Sequence, residues 1–469
     1  MNFHSAQYAV LLIVTLTLFW TLVHSRLLRT IVLLIASQYF YAGWGFRFVP
    51  LLWFSMLLDW TCGHRIRRTD DPRTRKVFLI VALCGNVGLL GFFKYYDWIA
   101  GGIDLATDKL GWGRPLPLLG ILVPVGISFY TFQSMSYTID VYRRHVKPAR
   151  SLLEFATFVS FFPQLVAGPI VRAVQFLPQF ERFPSLDRTR LQTALYRIGL
   201  GLAKKVVLSD TLGRMLVDPV YAQPGEYTAW MHVLAAQAFI IQVYFDFSAY
   251  SDIAIGSARL FGFEVPENFD LPYQSLSVRD FWRRWHMTLS TWLRDYVYFP
   301  LGGSRRSEPR VCFNLIFSML LIGLWHGATV PWAIMGLLQG VAMCLERWLE
   351  RRRGGRPFAT TAPRRLLCWF LTLQFVVLSY VFARCDSLDH LKRIWGTTGS
   401  LGAETVSHWA WITLAGCMPA LFLPRRVMER MRDALTALPV PALAVGLGAV
   451  VGIVSALNVG DTPYFYFQF

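Results

Sequence analysis

Apolar runs separated by short basic loops set the pattern of this chain from its start. Apolar stretches fall near 7–24, 28–45 and 48–63, and the loop at 64–76 then carries six lysines and arginines. A helix of about 20 apolar residues crosses a ~30 Å hydrocarbon layer, and short loops rich in Lys and Arg stay in the cytoplasm. The alternation therefore predicts spans near 77–98 and 116–139. It places the loop around Asp104, Asp108 and Gly111 outside, and YRRHVKPAR (142–150) inside. The first run has no Lys or Arg before it and is followed by Arg26 and Arg29. That is the reverse of a secretory signal peptide, and it predicts an uncleaved span with its N-terminus outside.

The middle of the chain is less regular. The run 152–171 is interrupted by Pro163, Gly168 and Pro169, which predicts a re-entrant or interfacial piece. Residues 175–183 are too polar to cross, and 191–207 carries Arg197, Lys204 and Lys205 on a stretch that suits the cytoplasmic interface. A span near 229–246 runs into Asp246, Ser248, Tyr250, Ser251 and Asp252, carboxylates and hydroxyls that need partners if buried. In 268–305, Trp282, Trp285, Leu289 and Trp292 recur at helical spacing, with Arg283, Arg284, Arg294 and Asp295 on other faces. That pattern predicts an amphipathic, aromatic-belted helix at the interface. Beyond the basic loop 351–365, spans are expected near 366–384, 407–424 and 439–459, with 425–435 amphipathic and cytoplasmic. The whole predicts an all-α polytopic membrane protein of about 11 transmembrane helices plus re-entrant and interfacial helices. It forms one integral-membrane domain over 1–469, and the aromatic tail at 460–469 lies outside.

Composition agrees with that reading. The 469 residues are 54% hydrophobic and only 16% charged, which no soluble domain of this size matches. The formal charge of +17 comes from clusters in short loops, so it reports membrane topology and not nucleic-acid binding. The seven cysteines include no CxxC pair, and neither a metal site nor a disulfide framework is indicated. No Gly-rich phosphate loop, HExxH or GxSxG occurs.

The candidate chemistry centres on LIGLWHGATVP (321–331), where His326 interrupts an apolar run between basic flanks. The run from Val311 to Glu346 is shorter than the roughly 40 residues two full spans require. A turn at Gly327/Pro331 would then lie within the membrane or just under its outer surface, where broken backbone is tolerated only inside protein or beside a water-filled cavity. An ionisable side chain at such a break is a functional candidate, although a lone membrane histidine also serves as a hydrogen-bonded packing residue. Moving an acyl group from a thioester to a hydroxyl needs a base of near-neutral pKa and no metal. A site inside the bilayer would also protect the donor from water. The basic aromatic segment of Arg283, Arg284 and Trp285, with Trp325, could hold a phosphate-bearing donor such as a coenzyme A thioester. An interfacial anchor explains the same segment.

GLWHGATVPWAIMGLLQG (323–340) and FWRRWHMTLSTWLRDYVYFPLGGSR (281–305) resemble the membrane-bound O-acyltransferase family, in its alginate O-acetyltransferase-like branch. PVGISFYTFQSMSYTIDVYRR (124–144), FVSFFPQLVAGPIVR (158–172) and YFDFSAYSDIAIG (244–256) resemble further blocks of that branch. The resemblance implies a ring of helices around a thinned centre, with a funnel on each side meeting at a central histidine. It also implies a catalytic His326 and a second histidine, His286, that positions the donor or supports the first. The final YFYFQF is similar to an F-x-Y-x-x-F motif whose tyrosine carries the acyl group, which matches Tyr466, although Tyr464 stands where the motif has Phe. A simple aromatic anchor is the other reading of that tail.

The expected protein is thus an acetyltransferase of the bacterial cytoplasmic (inner) membrane with both termini outside. It binds no permanent cofactor and uses acetyl-CoA as its acyl-donor substrate. It serves an extracytoplasmic polysaccharide through a separate secreted or membrane-anchored hydrolase-like transferase, in contact with membrane lipid. Two alternatives stay open: D-alanyl transfer to teichoic acid, and a non-catalytic transporter. Repeat-related broken helices would mark a transporter, and none is visible in the sequence.

Overall fold

The computed structural model describes residues 1–356, 358–396 and 408–456. Among the described residues every regular element is helical and none is a strand. The helices group into two compact units, Met1–Ala194 with Ile253–Pro266, and Leu195–Asp252 with Glu267 onward. The C-terminal tail, Tyr466 included, lies outside the described residues.

In the first unit, helix Ala6–Thr21 starts on Ser5 and helix Arg26–Ala42 on Ser25, each hydroxyl accepting a first-turn N–H. Asp71 caps helix Pro72–Leu90 in the same way, with Pro72 at the first position, where its missing N–H costs nothing. Helices Val49–Arg68, Pro72–Leu90 and Ile127–Tyr142 are joined by a buried polar cluster. Asn86 donates to Asp59 at 2.6 Å, Ser55 donates to Asn86 at 2.6 Å, and Thr138 donates to Asp59. In an apolar surrounding such bonds hold helices together and fix their register.

Two expectations for this unit are corrected. Helix Pro72–Leu90 continues through a wider turn at Gly91–Tyr95 into helix Tyr96–Lys109, so Asp104 and Asp108 are helical, not in a loop. The expected span at 116–139 is helical only from Ile127. Pro115, Pro117 and Pro124 deny the preceding stretch its ladder. Asp97 instead accepts the N–H groups of Leu119 and Ile121 at 2.8 and 2.7 Å, and Asp104 that of Leu116 at 3.2 Å. The break expected in 152–171 is present: helix Leu152–Ser160 gives way to irregular chain through 172.

The span expected at 229–246 is part of the longer helix Ala229–Leu260, which belongs to the second unit through Asp252. Asp246, Ser248, Ser251 and Asp252 sit within it because cations from the 195–209 stretch meet their carboxylates. The aromatic segment is not one helix but two, Val278–Arg284 and Met287–Leu293, parted at Trp285–His286. Helices Glu308–His326 and Val330–Arg352 then form a tight antiparallel pair, followed by Ala362–Arg384, His408–Phe422, Arg425–Thr436 and Val440–Ala456. Among the described residues four helices are long and apolar enough to cross a membrane, Pro72–Lys109, Ala229–Leu260, Glu308–His326 and Ala362–Arg384. A fifth is added if the bent pair Arg425–Thr436 and Val440–Gly452 makes one span.

Candidate active site

The helix pair positions the first histidine. Helix Glu308–His326 ends on His326 itself, Gly327 breaks away in an extended conformation, and Thr329 precedes the next helix. The two helices approach so closely that a Cβ on Gly323 would lie 2.2 Å from the Trp332 carbonyl oxygen, and one on Gly336 2.4 Å from that of Met319. Small residues at the contact are what allow membrane helices this proximity. At 19 and 23 residues the helices run through their charged ends, so each covers about 30 Å at ~1.5 Å per residue. The break between them, at 327–329, falls where glycine and proline predicted it.

The second histidine is placed by strain. His286 stands between the two short helices with φ +42°, in the left-handed region a non-glycine residue seldom enters. Such a conformation persists only where the surroundings hold it, and it recurs at functional sites. Here Met287 N–H donates to Asn268 O at 2.9 Å, and Thr288 Oγ1 to Asn268 Oδ1 at 2.6 Å.

The two imidazoles meet in an aromatic chamber. Their ring centroids are 6.2 Å apart, with His286 fully buried and His326 9% exposed. Trp332 stacks on His326 at 5.2 Å and 18°, and Trp325 stands edge-on to it at 5.0 Å. Phe247 closes the His286 side edge-on at 4.7 Å. Burial first, and then the nearby His326, push the His286 imidazole well below its ordinary pKa, so it is neutral at physiological pH.

A cavity of about 390 Å³ is lined by Asn268, Phe269 and Met287, the residue after His286, but by neither histidine. Its charged lining is paired: Arg197 with Asp252 and Glu267, Lys204 with Asp252 at 2.6 Å, and Arg425 with Asp270 at 3.3 Å. Deeper still, the buried Lys205 bridges Asp246 at 2.7 Å and Asp210 at 2.8 Å. Desolvation opposes the charge on Lys205, but the two carboxylates outweigh it and raise its pKa. Among the described residues no group of three or more His, Cys, Asp or Glu side chains is placed to hold a metal ion.

Of the residues singled out from sequence, the structure brings together His286, His326 and Trp325. Trp285 packs instead into a neighbouring aromatic cluster, stacked on Phe281 at 5.4 Å and edge-on to Phe269 at 5.1 Å. Arg283 is exposed, and Arg284 pairs with Asp280 at 2.9 Å; neither lines the cavity. Trp332 and Phe247, which frame the histidines, were not selected. Trp332 follows the Gly327 break by only a few residues, next to Pro331, and that was the available signal.

A helical membrane protein with a histidine at the break of a closely packed helix pair, and a neutral histidine facing it, has the makings of a buried acid–base centre. Its class is that of a membrane acyltransferase, and the chain belongs to the membrane-bound O-acyltransferase family, whose model matches residues 118–381. The motif blocks at 124–144, 158–172, 244–256, 281–305 and 323–340 all fall inside the matched stretch. The chain is similar to a "Probable alginate O-acetylase AlgI" of Pseudomonas aeruginosa, 39% identical over 394 residues, 83% of this chain and 73% of the relative. It is also similar to the peptidoglycan O-acetyltransferase of Helicobacter pylori, 36% identical over 404 residues, 80% of this chain and 74% of the relative. A more distant relative is the teichoic acid D-alanyltransferase of Streptococcus thermophilus, 30% identical over 281 residues, 55% of this chain and 67% of the relative.

Proposed function

We propose that this O-acyltransferase moves an acetyl group from a cytoplasmic thioester, acetyl-CoA, across the inner membrane for O-acetylation of an extracytoplasmic polysaccharide. The observation that carries the chemistry is the facing pair of His326 and His286, 6.2 Å apart in an aromatic chamber. His326 takes the proton from an attacking hydroxyl, that of Tyr466 or of an incoming acceptor. The hydroxyl oxygen forms a bond to the acetyl carbonyl carbon, the carbon–sulfur bond breaks, and the departing thiolate receives the proton. His286, being neutral and buried, positions His326 or the donor. Trp325 and Trp332 hold the imidazole and keep water from the thioester.

The acetylating relatives, named for alginate and peptidoglycan, support acetyl as the cargo and a glycan as the acceptor. A separate secreted or anchored transferase completes delivery outside. The paired charges around the cavity leave Arg197 and Lys204 to order its walls, so the donor's phosphates are held by residues nearer the surface, Arg283 among them.

The test is thiol release from acetyl-CoA by purified protein, wild type against His326→Ala and His286→Ala. With Tyr466 as the only acceptor present, a transferase releases up to one thiol per chain in a burst, whose rate falls by about 10²–10⁴-fold in His326→Ala and by less in His286→Ala. Thiol release unchanged in His326→Ala would refute the base assignment. Acetyl-CoA bound but unconsumed by wild type would refute the reaction.

A further inference from the structure

A second cavity, of about 240 Å³, lies within the Met1–Ala194 unit. It sits where helix Ala6–Thr21 ends and helix Arg26–Ala42 begins, so Phe19 and Arg29 both line it. The ends of two consecutive apolar helices are where the chain leaves the hydrocarbon layer. Trp20, donating to Leu260 O at 3.1 Å, is the kind of residue that marks this boundary. The remaining walls come from the 179–190 stretch and from Phe261–Glu264.

The charge in this cavity is not balanced. Arg29, only 7% exposed, donates to the carbonyls of Val23, Phe180 and Arg182 at 3.2, 3.3 and 3.1 Å and meets no carboxylate among the described residues. Arg182 has no ion pair among the described residues. Arg190 bonds Ser185 at 3.2 Å and lies 3.9 Å from Asp187. The one acid in the lining, Glu264, is engaged by Arg259 at 3.3 Å. A role for Arg29 in clipping the 180–182 turn explains its own bonds but leaves Arg182 unaccounted for, and Arg190 is held by Asp187 only at 3.9 Å. Around these cations the walls are phenylalanine, Phe19, Phe261 and Phe263, with Phe183 62% exposed at the rim.

We propose that this cavity holds the phosphodiester headgroup of an anionic phospholipid. Arg182 and Arg190 bind the phosphate and the buried Arg29 adds its uncompensated charge. Phe183, exposed at the rim, takes the apolar part of the lipid next to the headgroup. A free phosphate offers the same anion but leaves Phe183 in water, and so the lipid is the better match.

The test is native mass spectrometry of the full-length protein released from mixed micelles of phosphatidylglycerol and phosphatidylcholine. One phosphatidylglycerol is retained by wild type, and Arg182→Gln/Arg190→Gln weakens retention about 30-fold, counting each basic residue at a membrane surface. Arg182→Lys/Arg190→Lys keeps most of it, and millimolar inorganic phosphate fails to displace it. Equal retention of the two lipids, unchanged retention in the Gln double variant, or displacement by inorganic phosphate would each overturn the proposal. Should the Gln variant melt early, a photoreactive phosphatidylglycerol bound to wild type decides instead. Cross-links within 179–190 support the site, and cross-links elsewhere overturn it.

Discussion

Gly327→Ala is a small change placed where the site has least room. The residue lies at φ −146° and ψ 133°, extended backbone that alanine adopts freely, so the cost arises from the added methyl alone. That methyl would stand 2.1 Å from Trp332 Cδ1 and 2.4 Å from its Nε1, and the indole must retreat by about 1 Å to restore even a tight contact. The Trp332 backbone cannot retreat with it, because its carbonyl already lies against Gly323. The ring must therefore turn, and it is stacked on His326 at 5.2 Å and 18°. Overpacking of this kind costs about 1–3 kcal/mol of stability. A displacement of about 1 Å at a reacting group costs about 100-fold in rate. Thermal melting in detergent reads the first and thiol release from acetyl-CoA the second. Adding Trp332→Leu removes the clash, so the double variant recovers stability beyond additivity, by about 1 kcal/mol or more, but not the rate. A Gly327→Ala protein within about twofold of wild-type rate, with unchanged melting, would refute the claim that Trp332 fixes His326.

Other outcomes follow from the same contacts. Lys205→Met strips the shared cation from Asp246 and Asp210 and costs about 3–5 kcal/mol, visible as early melting; adding Asp246→Asn recovers part of the loss. Asn86→Ala removes the donor to Asp59 and the acceptor of Ser55 and costs about 1–3 kcal/mol by the same assay, whereas a loss under about 0.5 kcal/mol would mean the cluster does not bind its helices together. His286 is neutral in the folded protein, while a free imidazole gains its proton below pH ~6.5. The unfolded chain then holds more protons, so stability falls as pH drops from about 6.5 toward the lowered native value and is level above it. His286→Gln flattens that slope by as much as one proton, which melting at pH 5 to 8 measures.

How much of this was legible in the sequence depends on what marks each feature. The break at 327–329 was visible because Gly327 and Pro331 announce it chemically. The spacing of Trp282, Trp285, Leu289 and Trp292 marked an apolar helical face but assigned it to the membrane interface, whereas all four are buried within the protein. The turn at Trp285–His286 was not legible, because no glycine or proline marks it and His286 enters the left-handed region against its own preference. That contact belongs to tertiary structure, in which Asn268 holds Met287 and Thr288. Asp246 and Asp252 looked like a helix end because they are charged. Their partners Lys205, Lys204 and Arg197 lie far back in the sequence and let the helix run on to Leu260. Leu116–Gly126 reads as apolar enough to span, but its prolines and the acceptors of Asp97 keep it from forming a helix.

The central claim is that His326 drives transfer of acetyl from a thioester to a hydroxyl. It is tested most directly by following isotopically labelled acetyl from acetyl-CoA onto the C-terminal peptide of the purified protein by mass spectrometry, in wild type, His326→Ala, Tyr466→Phe and Tyr464→Phe. Label is expected on that peptide in wild type and in Tyr464→Phe, and none in His326→Ala or Tyr466→Phe. Label in His326→Ala at the wild-type rate would contradict the claim.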